Sequence, residues 1–272
     1  MHQERKGVSP DLFGTPLTAR SIIASLLLGM QPPRHRTARI VRWCRLFGVT
    51  ENAARVALSR MVERGELRAA DGSYELAGTI LDRQATQGWA IDPVFAAWDG
   101  SWHIAVVTKT GRSAPERVAL RAAATRVRLA EQREGVWTRP ANLDRSCAPN
   151  ATWALLDAQC SWWRGTPRAD AEQLADTVFG LADWAARAAL LTALLVATTE
   201  QLTAAPDGSG GSPAPNELAA SFLVGAAALQ HLHRDPLLPE ELLAAGWPGA
   251  ALRHAYRSYQ TAFSSAVAAY LR

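Results

Sequence analysis

The sequence predicts a multidomain α+β protein, and three observations predict it. Apolar residues recur at helical spacing three times within residues 17–67 and then give way to a short hairpin pattern. The middle of the chain switches between strand-like and helix-like runs. The final third is rich in Ala and Leu at helical spacing, with one Gly/Ser/Pro breaker. At 272 residues the chain exceeds the size at which one hydrophobic core usually suffices. Hydrophobic residues make up 48% and charged residues 20%, enough apolar surface for each part to bury a core.

Residues 1–16 are polar, with Pro10, Gly14 and Pro16, and are predicted as a flexible arm. A first helix is expected over about 17–29 (LTARSIIASLLLG), with Ile22, Ile23, Leu26 and Leu27 as its stripe and Gly29 at its end. Pro32 and Pro33 exclude a helix across 30–34. A second helix is expected at about 36–47, with Ile40, Val41, Cys44 and Phe47 inward and Arg39, Arg42 and Arg45 outward. FGVT, at 47–50, is a glycine-containing turn into the third helix, TENAARVALSRMVERGEL. Thr50 is a suitable N-cap, Glu51 places an acidic group in the first turn, and Gly65 stands where a left-handed residue closes a helix. Its Ala54, Ala57, Leu58, Met61 and Val62 form one face, and Asn52, Arg55, Val56 and Ser59 the other. ELRAADGSYELAG then reads as a hairpin turning at Asp71-Gly72. Three helices followed by a hairpin predict a winged helix-turn-helix over 17–78.

Residues 79–97 are predicted as a linker helix. Trp98-Asp99-Gly100-Ser101 is a turn into the strand WHIAVV, a helix is expected at about 115–128, and GVWTRP and ATWALLDAQC (151–160) are predicted as strands, followed by a helix at about 168–180. This order predicts a ferredoxin-like α/β domain over 98–180 whose last strand has no clear position. Residues 181–272 are predicted as a C-terminal helical domain interrupted by a flexible loop at 205–216 (APDGSGGSPAPN), its helices packing either on the middle domain or on a second subunit.

Charge separates the ends of the chain. Residues 1–78 hold 12 Lys/Arg against 7 Asp/Glu, whereas residues 79–272 hold 17 against 18, so the net +4 originates in the first quarter. A basic module on a near-neutral remainder predicts a polyanion partner at one end. Asn, Arg and Ser hydrogen-bond base edges and phosphates, so Asn52, Arg55 and Ser59 are the candidate base-reading residues of the third helix, with Thr50 at its start and Arg36, Arg39 and Arg68 on the phosphate backbone.

Other chemistries find less support. The three cysteines, Cys44, Cys147 and Cys160, are too scattered for a disulfide framework or a zinc site, which fits a reducing cytoplasm. No secretory signal pattern stands at the N-terminus, and the longest apolar run, 188–197, is about half a membrane span and reads as a buried helix. His231 and His233 lie at i, i+2 and point to different sides of a helix, so with Asp235 they are not expected to form a metal site. No nucleophile elbow, Walker loop or dinucleotide fingerprint is present, and no catalytic residue or cofactor is predicted. Tryptophan is more informative: Trp137 lies two residues before Arg139, and Trp162-Trp163 precede Arg164. Aromatic surface beside positive charge suits a ligand with a flat ring and anionic groups, although core packing and surface salt bridges use the same residues.

The strings LTARSIIASLLLG and ENAARVALSRMVERGEL resemble the N-terminal domain of the PaaX family of transcriptional repressors, which control phenylacetic acid breakdown in bacteria. GSWHIAVV (100–107), EGVWTRPANL (134–143) and HRDPLLPEELLAAGWPG (233–249) extend the resemblance along nearly the whole chain in the family's order. The resemblance implies a cytoplasmic, nucleoid-associated homodimer that binds a double-stranded DNA operator and is released by an acyl-CoA thioester, typically phenylacetyl-CoA. A coenzyme A pocket would need several cations, with Arg139, Arg164, Arg168 and Arg234 as candidates beside Trp137 and Trp163. The family's middle domain is similar to the small ferredoxin-like nuclease of CRISPR adaptation, which carries a metal-binding aspartate at the end of its first strand. Val106-Val107-Thr108-Lys109 has none, so nuclease activity is not expected. The competing expectation is a nucleic-acid-processing enzyme built on the middle domain and targeted by the winged helix.

Overall fold

The computed structural model describes residues 18–29, 33–78, 80, 88–204 and 214–272. The predicted arm 1–16, residues 79 and 81–87 of the predicted linker helix 79–97 and most of the predicted loop 205–216 lie outside the described residues; in the rest of the predicted linker helix 88–91 is helical, whereas 93–97 is not. The architecture is mixed α and β, and the chain divides into two compact units. One comprises Met1–Ala85, Leu190–Gln230 and Leu252–Arg272; the other comprises Thr86–Ala189 and His231–Ala251. The stretch 181–272 is therefore shared between the two.

The first unit begins α1 (Ala19–Gly29), β1 (Arg34–Arg36), α2 (Thr37–Arg45), α3 (Glu51–Glu63), β2 (Leu67–Ala70) and β3 (Ser73–Leu76). The three strands form an antiparallel sheet in the order β1-β3-β2. β1 falls where the sequence predicts a loop. Arg-His-Arg has no apolar alternation to mark a strand, and its extended form is set by pairing His35 with Tyr74. Ile22, Ile23, Leu26 and Leu27 of α1 meet Ile40, Val41, Trp43 and Cys44 of α2 and Ala54, Leu58 and Met61 of α3 in one core. Trp43 occupies the middle of it. Its ring makes edge contacts with Phe47, Phe222 and Phe263 at centroid distances of 5.2, 5.6 and 6.1 Å, and its Nε1 donates to the Ile22 carbonyl at 3.3 Å. Phe222, Phe263 and Val267 come from helices α8 (Pro215–Leu232) and α9 (Gly249–Tyr270), so within this unit the late helices complete the core of the early ones.

The second unit carries β4 (Trp102–Val107), α4 (Ala114–Arg126), β5 (Ala130–Arg133), β6 (Val136–Pro140), α5 (Asn150–Asp157), β7 (Cys160–Gly165) and α6 (Ala171–Phe179). Its four strands form an antiparallel sheet ordered β5-β6-β4-β7. The expected strand over 151–160 is corrected to helix α5. Thr152 and Leu156 are buried and Leu155 packs on the same core, an i, i+3, i+4 placement that a strand would split between its two faces. The strand follows it as β7, where adjacent Trp162 and Trp163 point to opposite faces: Trp162 packs on the core with Ala105 and Trp137, and Trp163 is 64% exposed.

Helix α7 (Leu181–Thr203) has residues in both units. Among the described residues it is the one helix long and apolar enough to cross a membrane, by length and composition. The stretch 188–197 is helical as expected, but its burial is partial: Leu190 and Val196 are 59% and 46% exposed. Burial on one side only is what an apolar helix with a single packed stripe shows.

Histidine burial in both units sets an acid sensitivity. Burial lowers the pKa of His35, His103 and His231, with the neighbouring charges of Arg39 on His35 and of Arg164 and Arg139 on His103 acting in the same direction. An unfolded imidazole, titrating near about 6.5, takes up a proton before the folded one does. Stability is then full above that pH and declines as pH falls from 6.5 towards 5. A separate loss runs from about pH 4 down through about 2, because Asp99 and Glu116 are each held down to about 2, chiefly by hydrogen bonds from Ser101 and Lys109 respectively. Urea midpoints at pH 7.5, 6.0 and 5.0 should decrease in that order; equal midpoints would rule out the histidine contribution.

Candidate nucleic-acid interface

Helix α3 is built to show its polar side. Thr50 caps it, its hydroxyl accepting from the Ala53 amide at 3.3 Å, and after the helix Gly65 takes φ +68°, the left-handed value that closes it. Ala54, Leu58 and Met61 are buried, which turns Asn52, Arg55, Val56 and Ser59 to the surface. The Thr50 hydroxyl is thereby engaged as a cap and fixes where the helix begins.

Arg55 is held in place. Its Nε and Nη2 donate to one oxygen of Glu51 at 3.0 and 2.8 Å, and Arg45 Nη2 donates to the other at 2.8 Å. These contacts, Arg55 first, pull the Glu51 carboxyl below its usual range. A carboxylate between two arginines on the outward face orients them and also opposes an incoming phosphate. Replacing it, Glu51→Gln, is expected to tighten binding to unrelated DNA and to narrow the gap between specific and unrelated sequences. Competition gel shifts with the two DNA classes measure both changes; unaltered discrimination would exclude an orienting role.

Beside this helix in sequence lies a basic cleft of about 650 Å3, lined by Arg34, His35, Arg36, Ala38, Arg39, Arg42, Ser73, Leu271 and Arg272. Five guanidiniums line it and no Asp or Glu side chain does. Arg34 is 3.6 Å from Asp71 at the hairpin turn, and Arg42 lies 4.7 Å over the Tyr270 ring. Arg36, Arg39 and Arg272 form no ion pair among the described residues. The cleft adjoins the hairpin, because the Thr37 amide and hydroxyl both donate to the Gly72 carbonyl at 3.1 Å. Like charges gathered without an acid repel one another, and an anion relieves that repulsion. Arg36 and Arg39, two of the candidate backbone-binding residues, are brought together in this cleft. Arg34, Arg42 and Arg272 were missed: Arg42 stands in the same basic run, whereas Arg272 is distant in sequence and carried no signal. Arg68, at the far edge strand, pairs with Glu75 at 3.2 Å.

The expected ligand residues do not converge. Arg139 is 2% exposed, and its donors are used on the carbonyls of Pro140 (2.9 Å), Val127 (3.2 Å) and Leu237 (3.2 Å) and on Asn142 Oδ1 (2.7 Å). Burial pulls its pKa down to about 9. A guanidinium enclosed in this way, with four of its five N–H groups bonded, ties segments together and lies out of reach of an outside phosphate, which corrects the expectation for it. Arg164 is engaged at the turn before β4, donating to Ser101 Oγ at 2.7 Å and Asp99 Oδ2 at 2.8 Å. Arg168 and Arg234 are exposed. Trp137 lines a second cleft that includes neither Trp163 nor any of these four arginines. No group of three or more His, Cys, Asp and Glu is placed to hold a metal ion among the described residues. His231 stacks on Trp184 at 4.6 Å with its Nε2 3.0 Å from the Trp184 carbonyl, and Asp235 accepts from the Leu237 amide at 2.9 Å.

Residues 18–80 match the family of PaaX-like proteins, and residues 200–272 match the C-terminal domain of PaaX-like proteins. The chain belongs to the PaaX-like family. An uncharacterized protein of Mycobacterium tuberculosis, Rv0674, is similar to it in structure, with a TM-score of 0.65 and 37% sequence identity over 94% of this chain and 99% of that one. No curated protein matches the chain. In this PaaX-like chain the first matched segment contains α1 to β3, and the second contains α8, α9 and Arg272 of the basic cleft.

Proposed function

We propose that this PaaX-like chain is a DNA-binding transcriptional regulator, a repressor of an aromatic-acid catabolic operon that an acyl-CoA thioester such as phenylacetyl-CoA releases. The observation that carries the reading is the basic cleft: five arginines and no Asp or Glu side chain in one unit with a helix whose outward face is Asn52, Arg55 and Ser59. The order α1-β1-α2-α3-β2-β3 with the sheet order β1-β3-β2 supports a winged helix. In it α3 lies in the major groove, the hairpin at Asp71-Gly72 is the wing, and the cleft beside that hairpin holds the phosphate backbone. The β-α-β-β-α-β order of the second unit with strands in the order β5-β6-β4-β7 supports a ferredoxin-like domain. The regulator acts in the cytoplasm as a homodimer, since two recognition helices related by a two-fold axis read the two halves of a palindromic operator. Effector binding favours a subunit arrangement whose recognition helices no longer match the half-site spacing. No catalytic step enters this reading.

Binding of the full chain to DNA fragments upstream of its own gene, against unrelated fragments and across a salt series, tests it. Preferred binding to the upstream DNA, a steep fall in affinity with salt and release by phenylacetyl-CoA are expected. Equal affinity for both DNA classes, or binding insensitive to salt, would defeat it.

A further inference from the structure

The second unit contains a cleft of about 680 Å3 between α4 and the β5–β6 hairpin, lined by an apolar floor of Val107, Leu120 and Trp137. On its wall stands Val118, 69% exposed, the most exposed large apolar side chain among the described residues. Three arginines and two glutamates, Glu131 and Glu134, rim it, a net positive lining. Arg117 and Arg121 lie one helical turn apart on α4, and Arg112 precedes the helix. Arg121 pairs with Glu131 at 2.7 Å and lies 5.4 Å over the Trp137 ring. Arg117 donates to the Arg112 carbonyl at 2.7 Å, and neither Arg112 nor Arg117 forms an ion pair among the described residues. The amino end of α4 is closed by its own capping box, Ser113 with Glu116, so side chains and not the helix end supply the donors.

Arg112 and Arg117 have no carboxylate paired with them among the described residues, and an apolar side chain two-thirds in water gains nothing from its position. One kind of ligand resolves both features: a molecule with an apolar body for Val107 and Val118 and negative groups for Arg112 and Arg117. The volume falls within the range of small-molecule sites, and guanidiniums bind carboxylate and phosphate in forked pairs. We propose that this cleft binds an amphipathic organic anion, an aryl or acyl group joined to carboxylate or phosphate, and is the effector site of the regulator. The proposal rests on the reading of the chain as ligand-responsive. The basic cleft of the first unit differs in kind, because Ala38 and Leu271 are the apolar residues of its lining.

Calorimetric titration of the full chain with phenylacetate, phenylacetyl-CoA and free coenzyme A tests it, comparing the wild type with Val118→Asp and Arg117→Glu. Both substitutions are at exposed positions, and a thermal melt of each variant verifies folding. At least one acyl-bearing probe binds the wild type, and each substitution weakens it tenfold or more. Phenylacetate binding alone assigns the carboxylate as the anchoring anion; binding confined to phenylacetyl-CoA assigns the phosphates. Unchanged affinity in both folded variants overturns the proposal, as do free coenzyme A binding as tightly as its thioester and no binding by any probe. A wild type that binds no operator DNA, yet loses acyl-probe binding on both substitutions, sinks the regulator reading and leaves the cleft as an anion site.

Discussion

Arg139→Met is expected to lower the stability of the second unit by about 3 kcal/mol. The side chain is enclosed, and its fork joins the segment around Val127, the strand end at Pro140, Asn142 and the loop carbonyl of Leu237. Methionine fills similar space but donates nothing. The carbonyls of Val127 and Pro140 and the side-chain oxygen of Asn142 then lose a buried partner, at about 1–3 kcal/mol each. Leu237 is spared in part, because Asn142 Nδ2 also donates to its carbonyl at 2.9 Å. Relief from burying a cation offsets some of the loss, which is why the expected sum is near the lower end. Arg139→Lys restores the charge but not the planar fork, so it should recover little. Urea denaturation followed by tryptophan fluorescence measures the loss. A change under about 1 kcal/mol in the methionine variant, or full recovery with lysine, would show that the fork does not hold these segments.

Arg139 also marks where sequence reading is strong and where it fails. Periodicity placed α1, α2 and α3 because each carries a buried stripe on a regular spacing, and Thr50 and Gly65 delimited α3 because capping is a local rule. The strand Arg34–Arg36 had no such signal: it is extended because β3 pairs with it, and pairing is not local. At 151–160 the apolar run imitates a strand, and the placement of Thr152, Leu155 and Leu156 on one core decides for a helix. Arg139 next to Trp137 has the composition of a ligand site, but alternation along β6 sends the two side chains to the same face of the sheet and burial decides their use. The basic cleft was half legible for the same reason. Arg36 and Arg39 come from one run, whereas Arg272 reaches it only because Phe222, Phe263, Val267 and Leu271 pack on the Trp43 core.

Arg55→Ala is expected to weaken operator binding by about 1–3 kcal/mol, roughly 5- to 150-fold, and to lower binding to unrelated DNA much less. The physical case is geometric. Arg55 projects from the outward face of α3 one turn after Glu51, with the Nε–Nη2 edge of its guanidinium held by one carboxylate oxygen. A pre-oriented fork loses little side-chain freedom on meeting the two acceptors of a guanine edge, whereas a loose arginine must be ordered first. The carboxylate that orients it also opposes the phosphates on either side, so the two residues are coupled and their effects should not add. In a Glu51→Gln background, Arg55→Ala should therefore cost less discrimination than it does alone. Gel-shift titration of the wild type, both single variants and the double variant closes the cycle. Equal effects of Arg55→Ala in both backgrounds would show that Glu51 does not position it. An equal loss on operator and unrelated DNA would place Arg55 on the phosphate backbone instead of a base.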